Sequence, residues 1–152
     1  MIITLAEDKD RESIARLDRH IPPQRLGECI GNGWVYVLKG NDPETGDGRN
    51  RTEASVIGVL RYSLFWQTVP FLDLLYIEEG HRNRGFGTQM MCKWEDEMKK
   101  RGYPYVMTST QADEPAWKFY EKLGYRRIGG FFPPMQDAEE WMYTKALGAS
   151  KL

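Results

Sequence analysis

The chain has 152 residues, a formal net charge of −1 and 41% hydrophobic side chains. This length suits one domain with its own core, and we expect residues 1–152 to form a single domain. The near-neutral charge gives no reason to expect nucleic acid or an anionic membrane surface as a partner. The sequence has no apolar run approaching the ~18 residues of a membrane-spanning helix, so no membrane partner is predicted.

The N-terminus and the cysteines predict a cytoplasmic protein. Residues 1–8 lack the basic region and the long apolar segment of a signal peptide. Cys29 and Cys92 are far apart and lack metal-ligand spacing, so we expect two thiols in a reducing compartment. His20 and His81 share no ligand spacing with each other or with a cysteine, and no metal site is predicted.

The hydrophobic pattern predicts elements in the order β-α-α-β-β-β-α-β-α-β-β. The expected strands are residues 2–5, 34–38, 55–64, 71–77, 105–110, 126–131 and 141–146. The expected helices are residues 8–19, a short helix around 26–30, 85–101 and 115–123. Asp8 is the expected cap of the first helix, and the turn-rich segment 40–53 is predicted to be a long hairpin loop.

Residues 71–110 form a strand, a helix and a strand, which is one βαβ unit. The two strands of such a unit run parallel, whereas the others can pair as antiparallel neighbours. The predicted class is α+β (mixed α/β), with helices on both faces of a central mixed sheet. Within the long helix, Met91, Trp94 and Met98 recur at helical spacing and predict a buried stripe. Its acid–base pairs at i,i+4 are expected on a solvated face: Glu95–Lys99, Asp96–Lys100 and Glu97–Arg101.

The segment 75–88 is the most informative part of the chain. It reads as an apolar strand, a basic turn and a helix that opens on Gly85 and Gly87. The first amides of a helix lack partners and carry partial positive charge, and glycines let a phosphate approach them closely. Arg82 and Arg84 add formal charge. The segment therefore predicts a phosphorylated ligand held mainly by main chain, although a tight turn with solvated arginines would give the same pattern.

Two familiar glycine motifs do not fit. A Walker loop requires Lys after its last glycine, and Thr88 follows Gly87. The dinucleotide fingerprint requires a third glycine where this chain has Met90. What remains is Arg-x-x-Gly-x-Gly from Arg82 to Gly87, which resembles the pyrophosphate-binding motif of the GNAT superfamily of N-acetyltransferases.

A second stretch strengthens this resemblance. Residues 116–125 contain Ala-x-x-Phe-Tyr-x-x-x-Gly-Tyr, which is an amphipathic helix ended by Gly124 and is similar to the second GNAT signature. A packing helix alone would explain the pattern. However, two motifs in the right order, with one strand between them, are much more specific than either one. On this resemblance the chain is identified as a single N-acetyltransferase domain of the GNAT superfamily.

The resemblance implies a three-layer fold in which the two parallel strands splay apart and receive acetyl-coenzyme A. The pantetheine arm is expected along the strand end, the pyrophosphate at the glycine turn and the adenine beside the helix after Pro115. The implied cofactor-binding residues are Leu75, Tyr76, Ile77, Arg82, Asn83, Arg84, Gly85, Phe86, Gly87, Thr88, Asp113, Ala116, Phe119 and Tyr120. Asp113 departs from the asparagine common in the family, so it could be only a helix cap.

The resemblance also suggests three catalytic groups for direct acetyl transfer through a tetrahedral intermediate. The amide of Ile77 would stabilise the oxyanion, and Tyr120 would protonate the leaving thiolate. Alternatively, Tyr120 has only a structural role, as an aromatic side chain packed on the helix face. Asp73 shares a strand face with Leu75 and Ile77, and burial there would raise its pKa toward that of a working base. A structural ion pair with Arg61 is the alternative role for Asp73.

The expected acceptor is a primary amine of a small molecule or peptide, with no metal involved. Several residues around the predicted hairpin could line the acceptor end, or could simply pack in the sheet: Arg61, Tyr62, Phe65, Trp66 and Gln67. A non-catalytic acyl-coenzyme A sensor is the alternative to an enzyme. The sequence leaves homodimer formation open.

Overall fold

The protein is described by a computed structural model over residues 1–40 and 54–148. Its strands are β1 Ile2–Leu5, β2 Val35–Gly40, β3 Ser55–Phe65, β4 Val69–Ile77, β5 Tyr105–Gln111, β6 Arg126–Phe131 and β7 Glu140–Ala146. Its α-helices are α1 Arg11–Leu17, α2 Pro23–Gly31, α3 Phe86–Lys100 and α4 Ala116–Lys122. The predicted loop beyond Gly40 lies outside the described residues.

The strands form one mixed sheet in the order β1-β2-β3-β4-β5-β7-β6. Strands β4 and β5 pair in parallel at Phe71–Met107 and Leu72–Thr108, which confirms the predicted βαβ unit. The pairs β1–β2, β2–β3, β5–β7 and β6–β7 are antiparallel. The predicted class of mixed sheet and helices is confirmed. Among the described helices, none is both long and apolar enough to cross a membrane.

The first helix is shorter than predicted. A single 3-10 turn, Asp8–Asp10, precedes α1, and the helix ends at Leu17. Asp8 is not the cap: its carboxylate pairs with Arg11 at 2.7 Å. The N-cap of the 3-10 turn is Glu7, and Asp10, the third residue of that turn, accepts the Glu7 backbone amide on Oδ2 at 2.9 Å. Asp10 also stands at the N-cap of α1, where its side chain makes no capping hydrogen bond.

Contacts group the described residues into two compact units. The first lies within Met1–Tyr62 and Leu74–Lys93, and the second within Ser63–Asp73 and Trp94–Leu152. That the whole chain is a single domain stays a prediction.

The first unit has an aliphatic core, and Ile14 of α1 and Val37 of β2 belong to it. At its margin the fully buried Asp18 accepts a hydrogen bond from Arg61 Nε at 2.7 Å. A buried carboxylate needs such a partner, because an isolated charge there would be costly.

The second unit buries the later part of the predicted stripe on α3. Trp94 and Met98 are fully buried, and so are Val106 of β5 and Tyr143 of β7. Met91, which belongs to the first unit, is buried as well. The predicted buried face of α3 is therefore confirmed.

One predicted solvated pair on α3 is wrong. Glu95 is buried and does not face solvent. One of its oxygens lies 2.6 Å from Lys145 Nζ, and the other accepts the Tyr125 hydroxyl at 3.1 Å. Lys100, expected to pair with Asp96, instead has its Nζ 3.5 Å from Glu97.

Candidate active site

The predicted site residues divide between the two units. Strand residues 75–77 and the glycine turn belong to the first unit. Asp73, Asp113 and α4 belong to the second unit. Each group has its own local geometry.

The backbone of Ile77 faces away from the strand that pairs with it. The next amide, Glu78 N–H, donates to Ile57 O of β3 at 2.8 Å. Because successive residues of an antiparallel strand alternate in direction, the polar groups of Ile77 point to the opposite edge. Its carbonyl accepts Arg82 Nε at 2.8 Å, which agrees with this direction. The Ile77 amide therefore points away from β3, as its carbonyl does.

Gly58 in β3 makes room for the Ile77 side chain. A Cβ at Gly58 would lie 2.8 Å from Ile77 Cδ1 and 3.3 Å from Met90 Sδ. A glycine inside a strand signals such a close approach. This supporting residue was missed by the sequence reasoning, and the glycine in an otherwise apolar strand was its available signal.

The turn between β4 and α3 adopts left-handed backbone at two positions. Asn83 has φ +62° and Gly85 has φ +80°. Gly85 is required by this conformation, whereas asparagine tolerates it better than most residues. Gly85 O accepts the Gln89 amide at 3.1 Å, which makes Gly85 the N-cap of α3.

The start of α3 consequently exposes a set of amides without partners inside the helix. These are the amides of Gly85, Phe86, Gly87 and Thr88, the first four of the helix. A Cβ on Gly85 would meet nothing within 4 Å, so the space beside the N-cap is open. Open amides beside open space at a helix N-terminus suit an anion.

The two arginines of the turn behave differently. Arg82 folds back onto the strand end, where its guanidinium carbon lies 5.1 Å from the centre of the Tyr76 ring while its Nε binds Ile77 O. Arg84 is exposed. Arg82 thus has a fixed position, and the sequence could not indicate its contact with Ile77.

Tyr120 is held in the second unit by the end of α4. Gly124 has φ +92° and ends the helix, and Tyr125 N–H donates to Tyr120 O at 3.0 Å. This left-handed stop is the predicted one. The Tyr120 ring lies 5.3 Å from that of Phe119 and 5.7 Å from that of Tyr125, both edge-to-face.

The Tyr120 side chain is buried from solvent. Burial raises the pKa of Tyr120 to about 12, and a side-chain hydrogen bond with Thr108 lowers it by less. Thr108 is fully buried on β5, and its hydroxyl donates to Leu72 O at 3.1 Å. The Thr108 hydroxyl therefore ties β5 to the β4 backbone. The sequence analysis did not single out Thr108.

The buried Glu95 stabilises the surroundings of Tyr120 through Tyr125. Its carboxylate binds the hydroxyl of Tyr125, whose ring packs against Tyr120. Lys145 Nζ lies 5.6 Å from the centre of the Tyr125 ring and neutralises Glu95. This arrangement fixes Tyr125 and, through it, limits the movement of the Tyr120 ring.

Asp73 is exposed, which contradicts one expectation. Because Asp73 lies in an otherwise apolar strand, we expected it to be buried and its pKa to be raised. The adjacent Leu72 is buried, but the face that carries Asp73 is open to solvent at this point. Arg61, the alternative partner, has a buried counter-charge in Asp18.

Asp113 is exposed and does not cap α4. The helix begins at Ala116 with Pro115 at its N-cap and no capping side chain, so the expectation of a helix cap is wrong. Ala116 and Phe119 lie on α4 and are half-buried.

The residues suggested for the acceptor end have different surroundings. Tyr62 is buried and donates its hydroxyl to Gly33 O at 3.4 Å, so it packs in the first unit. Trp66 is exposed at the tip of the β3–β4 hairpin, where it and Gln67 both have positive φ. Phe65 stacks on Phe71 at 5.9 Å in the second unit.

The first unit also contains a groove of about 560 Å³ beside the end of β4. Arg16 and Arg19 contribute basic side chains from α1 and the residues after it. Glu78 and Glu79 contribute acidic side chains after β4. The groove therefore offers both charges to a small polar ligand, a feature that no local sequence pattern indicated.

The sequence of residues 24–125 matches the acetyltransferase (GNAT) family. The chain belongs to the GNAT family. It is therefore an acyltransferase by family, as predicted. No curated protein matches the sequence.

Solved GNAT structures share the fold at low sequence identity. The ribosomal-protein-S18-alanine N-acetyltransferase from Escherichia coli is 14% identical with TM-score 0.76, over 99% of this chain and 96% of that one. An N-acetyltransferase from Staphylococcus aureus is 18% identical with TM-score 0.72, over 97% and 98%. An aminoglycoside 6'-N-acetyltransferase complexed with coenzyme A is 18% identical with TM-score 0.73, over 99% of both chains.

Proposed function

We propose that this GNAT protein transfers an acetyl group from acetyl-coenzyme A to a primary amine of a small molecule or peptide. The observation that carries the proposal is the start of α3. There, the first four amides of the helix have no helical partners. The first of them belongs to Gly85, the N-cap of α3, which has left-handed backbone and open space beside it. A diphosphate matches this site, because its oxygens accept several amide hydrogen bonds at once and its charge suits the helix dipole.

Acetyl-coenzyme A fits the residues of the first unit. The amides from Gly85 to Thr88 would hold the pyrophosphate, and the exposed Arg84 would add charge. Within the segment Leu75–Ile77, the outward-facing backbone groups of Leu75 and Ile77 would pair with the amide groups of the pantetheine arm. Arg82 already binds Ile77 O, so it would brace the strand end beside the phosphates rather than move freely.

Transfer needs three operations on the reacting groups. The amine must lose a proton, the oxyanion of the tetrahedral intermediate must be stabilised, and the thiolate must be protonated. The amide of Ile77 is our proposed oxyanion donor, since a preorganised amide in such a role contributes ~3 kcal/mol. Tyr120 is the proposed acid, because its raised pKa keeps its proton in place at neutral pH.

Asp73 remains our proposed base, in a revised form. Its exposed carboxylate cannot depend on burial to become more basic. It can still attract a cationic amine and accept its proton through water. This role would make the wild-type reaction less dependent on the fraction of free amine than the reaction of a variant that lacks the carboxylate.

The acceptor that we propose is an amine that also carries an anionic or polar group. The groove beside β4 supports this class, because Glu78 and Glu79 suit a cationic amine while Arg16 and Arg19 suit a carboxylate. Free amino acids have this charge pattern, and so do peptides that carry an acidic side chain near the N-terminal amine. Among the structural relatives, the names specify a protein alanine in one case and an aminoglycoside in another.

An acceptor screen with thiol detection tests the proposal. Wild-type protein is incubated with acetyl-coenzyme A and panels of amino acids, peptides, polyamines and aminoglycosides. We expect thiol release above the background hydrolysis for at least one panel. Tight binding of acetyl-coenzyme A with no turnover on any panel would instead favour the non-catalytic sensor, and absence of binding would contradict both functions.

A further inference from the structure

Arg82 connects the end of β4 to the turn that follows it. A short 3-10 turn, Glu79–His81, carries the chain away from the strand, and Arg82 comes directly after this turn. From there its side chain reaches back, and its Nε donates to Ile77 O at 2.8 Å. An exposed arginine of the glycine turn is therefore bound to the strand that precedes the turn.

The peptide group between Ile77 and Glu78 is held from both sides. Its N–H, on Glu78, donates to Ile57 O of β3 at 2.8 Å, and its carbonyl accepts the hydrogen bond from Arg82. One contact comes from the sheet and the other from the turn. Because a peptide group is planar, two hydrogen bonds on opposite sides fix its direction. Arg82 therefore helps to fix the end of β4.

The same guanidinium lies over an aromatic ring. Its central carbon is 5.1 Å from the centre of the Tyr76 ring, which is within the range of a cation–π contact. Such a contact is weak by itself at an exposed site. The hydrogen bond to Ile77 supports it, because it holds the guanidinium at the residue next to Tyr76.

The Tyr76 ring forms part of the wall of the groove beside β4. Leu74, two residues earlier and on the same face of the strand, packs against the core to which α1 and α2 contribute. Tyr76 accordingly lines the groove together with Arg16 of α1. The proposed function assigns this groove to the acceptor amine, so a movement of the ring would change the acceptor site.

Phosphate can bind Arg82 without displacing it from Ile77. A guanidinium has five N–H donors, and the contact with Ile77 uses the one on Nε. The four on the two terminal nitrogens suit phosphate oxygens, which they bind in a bidentate arrangement. In the proposed function, pyrophosphate binds the amides from Gly85 to Thr88, which begin three residues after Arg82. One side chain can therefore contact the cofactor, the strand end and the groove wall.

Building on the proposed acetyl transfer, we propose that Arg82 is a positioning residue that couples the cofactor site to the acceptor groove. Phosphate fixes the guanidinium, the guanidinium fixes the Tyr76 ring, and the acceptor then binds more tightly. The physical basis is conformational entropy. A ring that the cofactor has already ordered need not be ordered by the acceptor, so the second ligand binds at a lower entropic cost. Because such coupling is reciprocal, the acceptor strengthens cofactor binding by the same factor.

Fluorine NMR tests the link between the cofactor and Tyr76 without an acceptor. A fluorotyrosine at position 76 is observed with and without saturating coenzyme A, which has no acetyl group to transfer. In the wild type, the resonance should shift and narrow when coenzyme A binds. In Arg82→Lys, which keeps the charge but lacks the Nε donor and the planar fork, this change should be lost at saturation. Arg84→Lys makes the same substitution two residues later and should retain the change.

A double-mutant cycle measures the size of the coupling. Calorimetry gives the Kd of coenzyme A for the wild type, Tyr76→Leu, Arg82→Lys and the double variant. Tyr76→Leu removes the ring and should raise the Kd about fivefold, the lower end of typical coupling between two sites. In the Arg82→Lys background the same change should have no effect, because the ring acts through Arg82. Tyr76→Phe keeps the ring and should bind coenzyme A like the wild type.

Steady-state kinetics test the link to the acceptor, with an amine that the acceptor screen shows to be acetylated. At saturating acetyl-coenzyme A, Arg82→Lys should raise the KM for this amine about fivefold, with a smaller change in kcat. A general loss of folded protein would lower kcat and leave the KM unchanged. The split between KM and kcat therefore separates coupling from a merely structural role of Arg82.

The outcomes distinguish this inference from the proposed function. Coenzyme A that binds the wild type without changing the Tyr76 resonance would overturn the coupling, even if acetyl transfer is found. An equal effect of Tyr76→Leu with and without Arg82, or an unchanged KM for the amine in folded Arg82→Lys protein, would also overturn it. A coupled Tyr76 resonance in a protein that acetylates no amine would leave the contact established and the acetyltransferase function rejected.

Discussion

Tyr120 and Tyr125 are connected twice, by backbone and by side chain. Tyr125 N–H donates to Tyr120 O at 3.0 Å, and the two rings meet edge-to-face at 5.7 Å. Both contacts depend on Gly124, whose φ of +92° reverses the chain between them. The position of the proposed acid is therefore determined by a helix ending and not by a flexible loop.

Gly124→Ala should destabilise the protein. A Cβ would lie 3.7 Å from Lys145 Cε, an ordinary contact, so the expected cost arises from the left-handed backbone alone. It should amount to ~1–2 kcal/mol and lower the melting temperature by several degrees. Gly31→Ala, within α2 and with open space around it, is the control and should cause no loss. Equal melting temperatures for the two variants would contradict the assigned role of Gly124.

The pH dependence of stability should reveal the burial of Tyr120. Its pKa is raised from 10.0 to about 12 by burial, so the unfolded chain loses this proton first as pH rises. The contribution of the protonated Tyr120 to the free energy of unfolding is therefore fully present below pH 10 and is lost between pH 10 and about 12. Two pKa units correspond to ~2.7 kcal/mol.

Urea unfolding across this pH range checks the prediction. Tyr120→Phe should lose less stability between pH 10 and 12 than wild type, because phenylalanine does not ionise. Tyr105→Phe changes an exposed tyrosine and should follow the wild-type curve. Parallel curves for Tyr120→Phe and wild type would mean that Tyr120 is not desolvated in the folded protein.

Several features of the fold followed from local pattern, and others could not. Strand β6 begins and ends where the sequence analysis predicted, at Arg126 and Phe131. Glu95 was misassigned, because an i,i+4 rule cannot detect Lys145, which lies 50 residues later in the chain. Whether a charged residue is buried depends on partners that are distant in the chain. One sequence alone does not show which distant residues come into contact.

The candidate site shows the same division. Gly85 was predicted from the need for a phosphate to approach the backbone closely, and the structure adds a second reason for glycine, its left-handed conformation. Asp73 was expected to be buried from the alternation of its own strand, but its exposure depends on what covers that face. Thr108 escaped notice because a threonine in a strand is ordinary, and only the structure shows that its buried hydroxyl donates to Leu72 O.

Gly87→Val should weaken the binding of acetyl-coenzyme A. The valine side chain would stand beside the open amides of α3 and take up space needed by the pyrophosphate. We expect the Kd from calorimetry to rise more than about tenfold, or ~1.4 kcal/mol. Gly31→Val, another helical glycine, should leave the Kd unchanged. Unaltered affinity in folded Gly87→Val protein would remove the glycine turn from the cofactor site.

Asp73→Asn separates a base from a scaffold residue. The amide keeps the size of the side chain but removes its basicity. If Asp73 accepts the amine proton, the rate should fall at neutral pH and recover partly as the free amine becomes abundant. A normal pH–rate profile with a lowered melting temperature would reject the base role.

The balance of products tests the central claim most directly. With an accepted amine and acetyl-coenzyme A, the acetylated amine is quantified by mass spectrometry and the free thiol by a colorimetric reagent, in the same reaction. The account predicts equal amounts of the two products at every time point. Thiol released without acetylated amine would show a thioesterase, and binding of acetyl-coenzyme A with neither product would show a sensor; either result would contradict direct acetyl transfer.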